Sequence, residues 1–95
     1  MKSVEFGSYL KQIREKKNIP QRKVAHRLDI DTSTLSKIEL GERQLSISMI
    51  QGLAGELGLD FRELQIKYIS EKILHDFKNQ PFLKDALRET INQIK

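Results

Sequence analysis

The spacing of apolar residues constrains this chain more than any other feature of its sequence. Large apolar side chains recur every three or four residues along most of its length, as Phe6, Leu10 and Ile13 do near the start. That spacing is the period of an amphipathic α-helix. The sequence contains no Asn-Gly or Asp-Gly hairpin signal. It therefore predicts an all-α fold, and 95 residues suffice for one domain with at most a short appendage.

Capping residues and helix breakers divide the chain into six predicted helices. Asp31 and Ser46 are suitable N-caps, and Asp60 with Glu63 has the spacing of a capping box. Gly41 suits the left-handed position that follows a helix end. The predicted helices cover residues 4–17, 21–28, 32–40, 47–57, 61–78 and 82–94.

The positive charge of the chain is confined to its first half. Residues 1–45 carry ten basic and six acidic side chains, whereas residues 46–95 carry seven of each. Residues 16–28 include five basic side chains and no acidic one. Such a patch is either an ordinary solvated face or the electrostatic footprint of a protein that binds a polyanion.

The composition excludes several classes of function. Without cysteine there is no disulfide, no cysteine-based zinc site and no thiol catalysis. His26 and His75 lie far apart, so we predict neither a metal nor a cofactor. Ser8 and Lys11 match a Ser-x-x-Lys hydrolase motif only by chance, and we predict no enzyme. Since no apolar run approaches the roughly 20 residues that span a bilayer, we expect a soluble cytoplasmic protein.

One stretch between residues 21 and 64 carries a family resemblance. It resembles the phage-repressor type (Cro/Xre-like) helix-turn-helix family of DNA-binding regulators. The residues that carry the resemblance are Gln21, Val24, Ala25, Leu28, Ile30, Thr34, Leu35, Ser36, Lys37, Ile38, Glu39, Gly41, Ser46, Ile50, Leu53, Ala54, Leu57, Gly58 and Leu64. The resemblance implies a five-helix repressor-like domain over residues 1–66, followed by a C-terminal helical extension over residues 67–95.

Elementary geometry agrees with this resemblance. Two short helices joined by about three residues cannot pack antiparallel, so they cross steeply and leave the second helix protruding. A protruding helix fits the major groove of B-DNA. The alternative is that both helices are only packing units of a helical bundle.

The resemblance also implies which residues contact DNA. Thr32, Ser33 and Lys37 occupy the side of the third helix that faces base edges in the family. Hydroxyl groups bond to any base, and a lysine reaches guanine O6 and N7. Contacts to phosphate are implied for Gln21, Ser36 and Arg43, and neighbouring basic residues are supporting candidates. The complete set of predicted phosphate contacts is Lys17, Gln21, Arg22, Lys23, Ser36 and Arg43.

In related repressors, the positions of Arg14 and Glu39 form a buried ion pair that links the first helix to the third. We expect the same structural pair here. Three positions depart from the family pattern. Pro20 replaces a capping Ser or Thr, Asp29 stands where the turn usually has glycine, and Leu45 replaces a common proline.

The last thirty residues have more apolar surface than a small core needs. This surface can be covered by packing helix six onto helix five, by a dimer interface, or by both. We expect a homodimer, since one recognition helix contacts only a few base pairs. The predicted dimerisation residues are Ile66, Ile69, Ile73, Phe77, Leu83, Leu87 and Ile91.

Together these features predict a sequence-specific transcriptional regulator that binds double-stranded DNA. The leading hypothesis is a dimeric repressor of a palindromic operator at a locus such as a restriction–modification or phage-type locus. One alternative is an antitoxin that binds a toxin through its C-terminal helices and regulates its own operon. A further alternative is a bridging coactivator that contacts mainly proteins.

Overall fold

The computed structural model describes residues 4–95, and this part of the chain is entirely helical, without β-strands. The all-α prediction is confirmed, and most predicted helix ends agree with the structure to within one residue. One short 3-10 turn precedes the fourth helix. The helices are α1 (Val4–Lys16), α2 (Gln21–Leu28), α3 (Thr32–Glu39), α4 (Ile50–Leu57), α5 (Phe61–Phe77) and α6 (Leu83–Gln93).

Two aspartates cap helices as predicted. The Asp31 carboxylate accepts a hydrogen bond from the backbone N–H of Thr34 at 2.8 Å, at the start of α3. The Asp60 carboxylate accepts one from the N–H of Glu63 at 2.9 Å, at the start of α5. Each bond satisfies a backbone donor that a helix leaves without an internal partner.

The prediction that Ser46 caps α4 is wrong. Ser46 makes no capping hydrogen bond, and its hydroxyl lies 2.9 Å from that of Ser48. Its carbonyl accepts from the N–H of Met49 at 3.0 Å, which closes the 3-10 turn Ile47–Met49. The fourth α-helix therefore begins at Ile50, three residues later than predicted, because residues 47–49 form this 3-10 turn instead.

The hydrophobic core lies within residues 6–64. In it, α1 and α2 pack on α3, while α4 packs on α2 and α5. The sequence pattern identified most of the core but missed Leu45. The buried apolar residues are Phe6, Leu10, Val24, Ala25, Leu35, Ile38, Leu45, Ile50, Leu53, Ala54, Leu57 and Leu64.

The loop between α3 and α4 is fastened to α5. The Tyr68 hydroxyl donates to the carbonyl of Leu45 at 2.6 Å, and the Lys72 ammonium donates to the Gln44 amide oxygen at 3.1 Å. The Tyr68 ring also meets Phe6 edge-on, with ring centroids 5.4 Å apart. The first turns of α5 are thus part of the packed unit.

Gly7 allows α1 and α3 to approach closely. A Cβ atom at this position would overlap the carbonyl oxygen of Ile38 and lie 3.0 Å from that of Glu39. Both atoms belong to backbone at the end of α3 and cannot move aside as a flexible side chain would. This contact therefore requires glycine.

The two C-terminal helices are packed differently from the rest. One side of α5 faces the core through Leu64 and Tyr68, whereas Ile66 and Ile69 on the other side are exposed. None of the residues of α6 is buried. The predicted domain boundary at residue 66 falls within α5, which continues without a break to Phe77. No helix in residues 4–95 is long and apolar enough to cross a membrane.

Candidate nucleic-acid interface

A three-residue turn sets the angle between α2 and α3. Asp29 adopts the left-handed conformation, with φ of 58° and ψ of 43°. The N–H of Ile30 then donates to the carbonyl of Ala25 at 3.0 Å, which closes the end of α2. Aspartate tolerates this conformation better than most residues. The chain can therefore turn within three residues even though the usual glycine is absent.

Buried contacts hold α3 by one side only. Leu35 and Ile38 of α3 lie in the core with Val24 and Ala25 of α2. On the opposite side, Thr32, Ser33 and Lys37 are exposed. The structure thus places all three predicted base-contacting residues on the outward side of α3.

Leu40, which was not among the predicted base contacts, also lies on this outward side. Its side chain is 53% exposed. Ser33, Lys37 and Leu40 have the i, i+4, i+7 spacing of one helix face. That spacing was the signal that could have identified Leu40, whose methyl groups suit contact with the methyl group of thymine.

A negative charge lies at the start of the same helix. The Asp31 carboxylate accepts hydrogen bonds from the Thr34 N–H and, at 3.1 Å, from the Ser33 hydroxyl. These bonds, those with Thr34 foremost, hold the pKa of Asp31 below its ordinary value of 3.8. Hydrogen bonds to the charged form favour it, so the carboxylate is a fixed negative charge at neutral pH.

Arg14 and Glu39 form a buried ion pair between α1 and α3. The Arg14 Nε donates to Glu39 Oε2 at 2.7 Å, and its Nη2 donates to Oε1 at 3.1 Å. The third nitrogen, Nη1, donates to the carbonyl of Ile19 at 2.9 Å. The side chains are only 10% and 3% exposed. This bidentate geometry fixes α3 against both α1 and the segment that leads into α2.

Gln21, the first residue of α2, extends this hydrogen-bond network to Ser36 on α3. Its amide nitrogen donates to Glu39 Oε1 at 3.0 Å, and its amide oxygen accepts from the Ser36 hydroxyl at 3.2 Å. Both side chains are half-buried. One amide N–H of Gln21 is thus committed to Glu39, and the second is available to a ligand at the N-terminus of α2.

The structure separates the remaining predicted phosphate contacts into two groups. Arg22 and Arg43 are exposed, on α2 and on the loop after α3. Lys23 is exposed as well, with its ammonium 3.8 Å from the Glu56 carboxylate. Lys17 lies elsewhere, because its ammonium donates to the carbonyl of Leu57 at 2.6 Å. A cation at this position stabilises the C-terminus of α4, and the phosphate contact of Lys17 stays a prediction.

Glu56 is a further residue that the sequence analysis did not identify. Its carboxylate lies 3.7 Å from the Arg27 guanidinium as well as near Lys23, and the side chain is 15% exposed. Gly55, one position before it on α4, leaves space for that guanidinium. The Glu56 carboxylate therefore holds the basic side chains of Lys23 and Arg27 against α4.

A short helix joined to its predecessor by a three-residue turn, with an outward polar side and basic neighbours, is the arrangement of a helix-turn-helix DNA-binding protein. A family model described as "Helix-turn-helix" matches residues 10–64 of this chain. The chain belongs to this family and is a DNA-binding transcription regulator of the Cro/C1 type.

Two characterised proteins are similar to it. Control protein C.MunI from Mycoplasma sp is 34% identical over 62 residues, which cover 64% of this chain and 84% of that protein. The crystal structure of the restriction-modification controller protein C.AhdI from Aeromonas hydrophila superposes with a TM-score of 0.58 at 34% identity. The match covers 65% of this chain and 90% of that one. These similarities give no support to the antitoxin alternative.

Proposed function

We propose that this protein is the controller of a restriction–modification locus and acts as a dimeric repressor of a palindromic operator. Both similar proteins are named as controllers, one of them of restriction–modification. The observation that carries the proposal is the outward polar side of α3, which a buried ion pair holds in place. Occupation of an operator that overlaps a promoter would exclude the polymerase. We assign the protein to the cytoplasm, with the DNA, and assign it no enzymatic activity.

In the proposed complex, α3 enters the major groove and contacts base edges. Lys37 donates to guanine O6 or N7, and the hydroxyls of Thr32 and Ser33 bond to either donors or acceptors. Leu40 adds an apolar contact at the end of the same face. Since hydroxyl groups discriminate little between bases, most of the specificity of one half-site falls to Lys37 and Leu40.

Phosphates flank this helix in the proposed complex. The N-terminus of α2 points its backbone N–H groups and the Gln21 amide at one phosphate, as helix N-termini do with anions. Arg22, Lys23 and Arg43 supply positive charge around it, and the Ser36 hydroxyl supports Gln21. These contacts set the register of the protein on DNA without distinguishing sequences.

Two copies of the chain are proposed to bind each other through the apolar sides of their C-terminal helices. The side of α5 that faces away from the core carries four large apolar side chains, which a monomer leaves partly exposed. The proposed interface consists of Ile66, Ile69, Ile73 and Phe77 of α5, with Leu83, Leu87 and Ile91 of α6. In functional terms, residues 1–66 would bind DNA and residues 67–95 would join the copies.

Selection of binding sites from a random DNA library at physiological salt tests the proposal. We expect an inverted repeat whose half-site centres lie about 34–36 Å apart, one helical turn. Lys37→Ala should relax the preference at one position of each half-site by about 1–3 kcal/mol. Lys84→Ala on α6 removes the same charge far along the chain and is the matched control. Steeply salt-dependent binding without any enriched sequence would contradict the operator proposal.

The regulated locus is tested separately. The selected sequence is expected upstream of the gene for this protein, next to genes for a DNA methyltransferase and a restriction endonuclease. A reporter fused to that promoter should lose activity when the protein is supplied. A reporter whose activity rises would show an activator rather than a repressor.

A further inference from the structure

Helix α6 is amphipathic but has almost nothing to pack on within its own chain. None of its residues is buried, and Ile91 and Ile94 are 68% and 69% exposed. Phe82, just before the helix, is 73% exposed. The family match ends at residue 64, so this helix is an addition to the helix-turn-helix unit.

An open apolar groove of about 480 Å³ separates α6 from α5. Ile73 and Phe77 form one wall and Leu83 and Leu87 the other, while Pro81 lies at the bend between the helices. The one hydroxyl in the α6 wall belongs to Thr90, which donates to the Ala86 carbonyl at 2.8 Å. The groove walls therefore offer mainly apolar contact, and Gln80 is the other polar side chain that lines them.

We propose that α6 of a second copy of this chain packs its apolar side into the groove, so that each copy covers the space between α5 and α6 of the other. This inference rests on the dimer proposed above and specifies how its helices are arranged. Because the arrangement is twofold symmetric, packing in one direction implies packing in the other. The two pairs of helices then form a four-helix bundle with the apolar stripes inside.

The exposed apolar surface has the size that such an interface needs. The partly exposed side chains are Ile66, Ile69, Leu74, Phe77, Phe82, Leu87, Ile91 and Ile94. At roughly 150 Å² for each fully exposed side chain, the low end of the range for aromatic residues, their exposed fractions amount to about 650 Å² per copy. Stable interfaces bury about 800 Å² per partner. The α5 stripe alone supplies less than half of that area, and residues in and around α6 supply most of the rest.

The charges on α6 also permit a second copy to approach. Lys84 and Arg88 balance Asp85 and Glu89, so the helix is neutral. Arg88 is already paired with Asp85 at 3.0 Å along its own helix. By contrast, the excess positive charge of residues 1–45 would repel a second copy of that half.

Cross-linking between copies tests the arrangement directly, since the natural chain has no cysteine. Copies with Phe77→Cys are mixed with differently tagged copies with Ile91→Cys, and mixed-tag disulfides are counted. We expect at least about tenfold more of them than with Asn92→Cys, whose side chain lies on the opposite side of α6. Equal yields for the two positions would overturn the proposal.

Sedimentation of the full chain gives the second measurement. Ile91→Asp should raise the dimer dissociation constant by about tenfold or more, because an apolar contact cannot solvate the carboxylate. Asn92→Asp adds the same charge on the exposed side and should leave the constant unchanged. Helical content by circular dichroism verifies that each variant is folded.

The outcomes separate this inference from the proposed function. If Ile69→Asp on α5 dissociates the dimer and Ile91→Asp does not, the proposed position of α6 is wrong. The proposal of a dimeric regulator then still holds. If the natural chain is monomeric at every concentration, both the dimer and the proposed position of α6 fail. If this packing is observed but no DNA sequence is selected, the arrangement stands and the operator proposal fails.

Discussion

The helix-turn-helix unit and the C-terminal helix illustrate two different ways in which a short chain uses apolar residues. Between residues 6 and 64, twelve apolar side chains are buried and a salt bridge lies within the same unit. In α6 the apolar residues have the same helical spacing, yet none is buried. Periodicity therefore predicts that a helix forms and which side is apolar, but not whether that side is covered within the chain.

Removal of Glu39 should have the largest effect on the packed unit. Glu39→Ala leaves the buried Arg14 guanidinium without its partner, which should lower the free energy of unfolding by about 3–5 kcal/mol. Urea unfolding at fixed protein concentration measures the change. The double variant Arg14→Met with Glu39→Leu should recover most of the loss, since apolar replacement of a buried pair is often neutral. A small loss in Glu39→Ala alone would show that the pair is not a structural one.

Truncation of one leucine in each region tests the comparison itself. Leu53→Ala in the core should cost about 2–5 kcal/mol of unfolding free energy, through lost burial and the cavity left behind. Leu87→Ala in α6 should cost under about 1 kcal/mol when the protein is dilute enough to be monomeric. Equal losses would mean that α6 packs within its own chain.

Gly7→Ala should weaken the contact between α1 and α3. The added methyl group meets the backbone carbonyls at the end of α3, and such overpacking costs about 1–3 kcal/mol. Gly55→Ala is the matched control, because its methyl group meets only the flexible end of Arg27. That variant should be neutral, or more stable by up to about 1 kcal/mol, since alanine favours a helix.

Particular residues show how much of this molecule its sequence could predict. The ends of α2 and the caps at Asp31 and Asp60 depend on neighbouring residues, and local patterns predicted them. Ser46 does not cap α4, because a 3-10 turn separates it from the start of that helix.

Contacts between distant residues were the hardest to predict. Nothing in the sequence shows that the ammonium of Lys17 reaches the carbonyl of Leu57, forty residues away. The sequence also does not show that position 7 requires glycine, since this requirement depends on how closely α1 and α3 approach. The predicted pairing of Arg14 with Glu39 came from the family resemblance, because a separation of 25 residues follows from no local rule.

The smallest predicted effect is a pH dependence at the start of α3. The folded state lowers the pKa of Asp31, so its contribution to stability is full above the unfolded pKa and is lost as pH falls through the lower folded value. Thermal unfolding of the natural chain and of Asp31→Asn should therefore differ by a constant amount at neutral pH. The difference should shrink in acid below about pH 4. A difference that grows toward low pH would contradict this sign.

The open apolar side of the C-terminal helices has a consequence for the arithmetic of gene control. If only the paired form occupies an operator, occupancy follows the concentration of pairs. While single copies predominate, that concentration varies as the square of the total. A twofold dilution by cell growth would then reduce the pairs about fourfold. The amount of this short protein could act as its own input signal, with α6 setting the level at which a gene switches.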